Sequence, residues 1–358
     1  WSSDVCSSDL VGTAESAAVA KQVALEASVL LKNNGVLPFG DAISKVAVIG
    51  PNADNMYNQL GDYTAPQDPD RVVTMLEGIR QKGRAEVTYA KGCAVRDEAD
   101  ADLDEALRVA RAAEVVVLVV GGSSARDFKT SYEDTGAAIV DEQVSDMDCG
   151  EGYDRSSLRL LGRQEELMRR LYALGKPVVT VYVCGRPMDM NLASEQSDAL
   201  LLMWYPGMEG GSALSDILWG DSNPSGRLPI SIPRSVGQIP VYYSQPATGD
   251  YVEESAKPLY PFGYGLSYTR FEYGNLEADG ETVSVEVTNV GQRDGDEVLR
   301  LYASEEVPKL ALSSKKMVAF KRIRLKQGES QKVVFTVPSH SAMSFSVSTP
   351  DSLLILTR

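Results

Sequence analysis

Histidine is almost missing from this sequence: His340 is the sole example among 358 residues. That scarcity removes most Ser-His-Asp, Cys-His and imidazole–metal mechanisms and leaves carboxylates as the agents of any acid–base work. Cysteine is sparse too. Cys6, Cys93, Cys149 and Cys184 form no CxxC and have no metal-ligand spacing, so neither a disulfide framework nor a metal site is expected. Long apolar runs are lacking. The longest, "VVVLVV" (115–120) and "ALLLMWY" (199–205), have the length of buried strands, and no membrane span is expected. Net positive charge is absent as well: the formal charge is −15, which repels phosphates, excludes nucleic acid as a partner and suits a neutral substrate.

What is present is the composition of a soluble globular protein, 43% hydrophobic and 24% charged, at a length that implies two domains. Residues 1–10, "WSSDVCSSDL", have no initiator Met, basic n-region or apolar h-region, so they are no signal peptide. They resemble the read-through of a sequencing adapter. They are set aside as a non-native leader, with native sequence expected upstream.

From Thr13 the spacing predicts a helix that stops at Asn33-Asn34-Gly35. Strand-like runs then alternate with helical ones. "KVAVIG" (45–50), "AEVTYA" (85–90), "EVVVLVV" (114–120), "PVVTVYV" (177–183) and "ALLLMWY" are β-branched or continuously apolar. Between them "ADADLDEALRVARAA" (99–113), "GRQEELMRRLYALG" (162–175) and "GMEGGSALSDILWG" (207–220) read as helices. The expected fold is a layered α/β/α sandwich on a mostly parallel sheet, over residues 11–243. The loops after its strands, "PNADN", "GGSSARDF", "CGRPMD" and "YPGMEGG", lie where such sheets gather ligands.

Residues 244–274 are crowded with Tyr, Phe, Pro and Gly; the composition could form a sugar-stacking platform, but the expected role is an aromatic strap between domains. From 275 to 358 the period becomes two: Val283, Val285 and Val287 alternate with Ser284, Glu286 and Thr288. That pattern predicts a small all-β, immunoglobulin-like sandwich.

The densest polar stretch is "DMDCGEGYDRSSL" (146–158). A calcium loop fails, because its glycine position would be Glu151 and its twelfth Ser157. "GYGLSY" (263–268) fails as a phosphate loop, since Tyr268 replaces the last glycine. Glu151 stands between Gly150 and Gly152, which would let its carboxyl project into a cleft and donate a proton. The residues alone equally fit an acidic surface turn with Asp154 and Arg155 as a local ion pair. Glycoside hydrolysis needs a second carboxylate, and Asp127, Glu133, Asp134, Asp146 and Asp148 have no distinctive frame.

Several ordered blocks together are similar to family 3 glycoside hydrolases: "EASVLLKNNGVLPF", "VAVIGPNAD", "GEGYDRSSLRLLGRQEEL", "GKPVVTVYVCGRP", "WYPGMEGGSALSDILWGDSNPSGRLPISIP" and "YPFGYGLSYTRFEY". The likeness runs from about residue 13 to the end. It implies the α/β sandwich and a fibronectin type III-like domain, without the preceding barrel that carries the family's aspartate nucleophile. It implies the C-terminal part of a retaining, exo-acting β-glycosidase, for β-glucosides or β-xylosides, that needs no cofactor or metal. In this reading Glu151 is the general acid/base. Tyr153, Asp154 and Arg155 line the substrate or organise the loop. The partners are a β-linked oligosaccharide or aryl glycoside and the barrel, without which the chain is expected to be inactive. A periplasmic or secreted location follows from the substrate class. The competing expectation is a non-catalytic carbohydrate-binding or interaction module.

Overall fold

The computed structural model describes residues 12–62, 64–125, 134, 146–150, 152–245, 248–305, 315–337, 343–348 and 353–356. The chain divides into two units, residues 1–28 with 32–222 and residues 29–31 with 223–358. In the first unit the apolar runs become parallel strands, the central ones covered on both faces and the edge strand β3 partly open. They are β2 (Lys45–Ile49), β3 (Glu86–Ala90), β4 (Val115–Gly121), β5 (Val178–Val183) and β6 (Ala199–Trp204). Every residue of β4 and β5 is buried. With β1 (Val29–Asn33) they give a six-stranded sheet in the order β1-β6-β5-β4-β2-β3.

The first helix is shorter than its periodicity predicts. Helix α1 (Ala14–Ala27) ends six residues before Asn33, which strand β1 reaches instead. Ser28 makes the break: it is extended, and its N–H and hydroxyl both donate to Ala24 O at 3.1 and 2.7 Å. Val29, Leu30 and Leu31 then bury both alternating faces as a strand, which a helix with one apolar stripe cannot do.

The crossover helices are α2 (Met56–Leu60), α3 (Met75–Lys82), α4 (Leu103–Ala112), α5 (Gln164–Tyr172), α6 (Asn191–Gln196) and α7 (Gly210–Leu218). Helix α3 carries a start signal in "TMLE", where Thr74 Oγ1 accepts from Glu77 N at 3.2 Å. β3 lies on one side of β2 and β4 on the other, so the chain reverses its direction across the sheet there. Crevices at the carboxyl ends of strands open at such reversals.

Lys82 at the end of α3 sits between Asp216 (2.5 Å) and Asp221, with Lys21 on Asp216 (2.6 Å) and Arg84 on Asp221 (2.9 Å). This network joins α1, α3 and α7.

The second unit is a two-sheet sandwich. Strands β7 (Phe271–Asp279), β8 (Thr282–Asn289) and β11 (Ser330–Thr336) form a three-stranded sheet. Strands β9 (Gly295–Glu305), β10 (Lys316–Leu325), β12 (Met343–Ser348) and β13 (Leu353–Leu356) form a four-stranded one. Alternate residues, among them Val283, Val285, Val287, Val333 and Phe335, meet in one core. Strand β12 keeps the same period of two, with Met343, Phe345 and Val347 alternating with serines and Phe345 and Val347 buried in the core.

The aromatic stretch and its approach are packed in part, while Tyr242 and Tyr251 are exposed. Tyr243 stacks on Phe262 at 4.5 Å, and its hydroxyl accepts from Met317 N at 3.2 Å. Residues 228–232 bond back to 260–264 through Leu228 N to Tyr264 O and Ile232 N to Tyr260 O. These bonds place 223–243 with the β unit, ahead of the change in sequence texture at 244. Arg227, on this irregular stretch, donates to Glu297 of β9 at 2.6 Å, and both side chains are buried.

Lys82's hydrogen bond, followed by that of Arg84, holds the Asp221 carboxyl below its ordinary value. A carboxyl lowered in the folded state stabilises the fold above its unfolded pKa, about 3.9, and that contribution is lost as pH falls through the folded value. Lys82→Met is expected to destabilise the protein by about 1 kcal/mol at neutral pH, since Asp221 is part-exposed. Its stability should also fall less steeply between about pH 5 and pH 2. Urea unfolding at a series of pH values measures both; an identical pH slope would refute the assignment.

Candidate active-site loop

Strand β4 ends in Gly121-Gly122, and the side chain of Gln164 braces that end. It accepts from Gly121 N at 2.9 Å and donates to Gly121 O and Val95 O, each at 3.0 Å. Beyond it, Ser123 N donates to Asp148 Oδ1 at 2.7 Å, while Asp148 N donates to Ser123 O at 2.8 Å. Gly122 is required here: a Cβ at that position would stand 2.2 Å from Asp148 Oδ1. The returning loop is held upstream as well, where Asp146 accepts from Val95 N (3.1 Å) and Arg96 N (2.7 Å).

Asp148 is the centre of the cluster, with a side chain 1% exposed. Its Oδ2 accepts from Arg155 Nη1 and from Arg186 Nη2, both at 3.1 Å. Arg155 also donates to Arg159 O at 2.8 Å. Burial and the neighbouring Arg186 charge lower the pKa of Arg155 from its ordinary value. Asp148 is therefore a structural anion, and Asp146 a pair of backbone acceptors. Neither is placed as a second reacting carboxylate. Asp134 is exposed, and Asp127 and Glu133 lie outside the described residues.

Between Asp148 and Arg155 the chain doubles back. Tyr153 N donates to Gly150 O at 3.0 Å, and the two residues form an antiparallel bridge. Gly150 has φ +147° and Gly152 φ +80°, angles that side chains rarely adopt. Glu151, the expected acid/base, lies outside the described residues. Tyr153 is half-buried, Asp154 is exposed and Arg155 is half-buried. The local Asp154–Arg155 ion pair is not the one formed. Arg155 turns inward to Asp148, because a buried carboxylate binds a guanidinium more strongly than a solvated one does.

Residue patterns missed three members of this cluster: Ser123, Gln164 and Arg186. Two of the loops noted at the carboxyl ends of strands, "GGSSARDF" and "CGRPMD", contain Ser123 and Arg186 without pointing to their partner Asp148. Thiol chemistry does not belong here. Burial pushes Cys184 up to about 12, and burial followed by the Asp148 charge raises Cys149, so both are protonated at neutral pH. Tyr205, after β6, packs its ring where Cβ atoms on Gly61 and Gly185 would stand, at 2.8 and 2.5 Å.

Residues 28–268 match the glycosyl hydrolase family 3 C-terminal domain, and residues 297–351 match the fibronectin type III-like domain. The chain belongs to glycosyl hydrolase family 3. This family 3 chain is 37% identical over 348 residues to a β-xylosidase of Formosa agariphila, covering 90% of itself and 45% of that relative. It is 36% identical over 362 residues to a periplasmic β-glucosidase of Salmonella typhimurium, covering 89% and 44%. Among solved structures it resembles a β-glucosidase from Erythrobacter marinus, with TM-score 0.81, 34% identity and coverage of 96% of this chain and 51% of that one. It thus spans about half the length of the curated relatives it matches, their C-terminal half. No helix among the described residues is long and apolar enough to cross a membrane.

The cluster makes a direct prediction about stability. Asp148→Ala leaves the Arg155 and Arg186 guanidiniums and Ser123 N–H without their acceptor and is expected to cost about 3–5 kcal/mol. Asp154→Ala, at an exposed site, should stay within about 0.5 kcal/mol. Chemical denaturation of the two variants separates them, and comparable losses would disprove the anchoring role of Asp148.

Proposed function

We propose that this chain is the acid/base-bearing C-terminal part of a retaining, exo-acting β-glycosidase that hydrolyses β-glucosides or β-xylosides, with Glu151 as general acid/base. The observation that carries this reading is the match of 90% and 89% of the chain to the C-terminal halves of a β-xylosidase and a β-glucosidase. The tethered turn between Gly150 and Tyr153 supports it, since an acid that meets its substrate on a loop needs a fixed base.

In the proposed reaction an aspartate of the N-terminal barrel half attacks the anomeric carbon. Glu151 gives its proton to the glycosidic oxygen as the C–O bond breaks, leaving a covalent glycosyl ester and a Glu151 carboxylate. The carboxylate then takes a proton from water as the water oxygen attacks the anomeric carbon, and the ester breaks with net retention. No step draws on a metal or organic cofactor. The substrate would be a β-linked oligosaccharide or an aryl glycoside. In this reading Tyr153 and Asp154 line the substrate, and Arg155, which is bonded to Asp148, organises the loop. The Salmonella typhimurium relative is named as periplasmic, and a location outside the cytoplasm is the corresponding proposal for this chain.

The test joins the chain to the N-terminal half of the Formosa agariphila relative and compares Glu151→Gln with the unsubstituted fusion. Aryl glycosides with poor leaving groups should lose about 10²–10⁴-fold in rate, the typical worth of general acid catalysis. Activated leaving groups depart unaided, so their first step should survive while deglycosylation slows. Azide should restore turnover and yield a β-glycosyl azide. Full activity of Glu151→Gln on poor leaving groups would remove Glu151 from the mechanism. The chain without an N-terminal half is expected to give no turnover.

A further inference from the structure

We propose that Arg186 is the positioning residue of the acid/base loop. From the carboxyl end of β5 it pins Asp148 against the end of β4, and thereby fixes the turn between Gly150 and Tyr153. The functional meaning rests on the reading of Glu151 given above; the geometry does not.

Closing the loop requires only one arginine. Arg155 lies beyond the turn and Asp148 before it, so their bond at 3.1 Å already joins the two ends. A lasso closed at its neck can still swing as a unit about that neck. Arg186 comes from a different segment and donates to the same oxygen, Asp148 Oδ2, at 3.1 Å. Together with Ser123 N on Oδ1 it ties the neck to two adjacent strands, β4 and β5.

This second guanidinium is not placed for its own hydrogen bonding. Its Nε is buried with no acceptor among the described residues, its Nη1 donates to its neighbour Pro187 O at 3.3 Å, and the side chain also meets the Cys149 thiol at the start of the turn. It also stands beside the like charge of Arg155, whose pKa it helps to lower. An arrangement that accepts a like-charge neighbour to add a second guanidinium to Asp148 is suited to fixing direction.

The test uses this chain and amide hydrogen exchange. Arg186→Gln should speed exchange of the Asp148 and Tyr153 amides at least about tenfold and leave the β4 and β5 amides unchanged. Arg186→Lys, which retains the charge, should recover most of the protection. Unchanged loop amides, or equal acceleration throughout β4 and β5, would overturn the proposal. In the fused enzyme, Arg186→Gln should lower kcat on poor leaving groups more than on activated ones, with KM little altered. A uniform loss across leaving groups, in an enzyme where Glu151→Gln does show the dependence, overturns Arg186 as positioner. If Glu151→Gln shows no such dependence, the acid/base reading falls instead, and the exchange data still judge the loop.

Discussion

A carboxylate stripped of water is stable only where other donors take the water's place, and the Asp148 carboxylate depends on three separate segments for this. Ser123 at the end of β4, Arg155 beyond the turn and Arg186 after β5 supply those donors. The slot exists only because Gly122 has no side chain. Desolvating one ion costs several kcal/mol, and two guanidiniums with a backbone N–H are what offsets it. The course of residues 146–155 follows from that requirement, since each donor sets where a piece of the loop must run.

A similar device recurs in the β unit. Arg227 lies on an irregular stretch and Glu297 on a regular strand, and their buried bond, with Tyr273 donating to the same carboxylate at 3.1 Å, holds one on the other. In both units a buried Arg–carboxylate contact fastens chain without regular structure to a sheet. Apolar packing could supply comparable stability, but it is non-directional. An ion pair with defined oxygens and nitrogens also selects a register.

The sheet strands from β2 to β6, helices α4, α5 and α7 and most of the β-sandwich were legible in the sequence, because burial on both faces or on alternate faces leaves a local periodicity. The α1–β1 boundary was not, since "VLLKN" suits either state and the choice depends on what covers it. The glycines at 150 and 152 were legible as a special backbone, and both have positive φ. The partner of Arg155 was not. Adjacent Asp154 is nearer in sequence, but burial makes Asp148 the stronger acceptor, and burial is a property of the assembled fold. Arg186 stood in a loop the sequence singled out, but its partner did not show for the same reason: Asp148 lies 38 residues away in the chain.

On the proposed reading, the acid and the nucleophile of a retaining glycosidase must stand about 5 Å apart, and a catalytic geometry tolerates errors of only about 0.5 Å. A glycine-flanked residue would fail that requirement in a free loop, because glycine widens the conformations open to the chain. The two properties are compatible only when shape and stiffness have separate sources. Here the positive-φ glycines give the turn its shape, while Asp148, held by Ser123 N and two arginines, restrains its base against the ends of β4 and β5, strands buried throughout. A chain with a single histidine can then place proton transfer on a carboxylate, provided that the carboxylate's loop borrows its rigidity from the sheet.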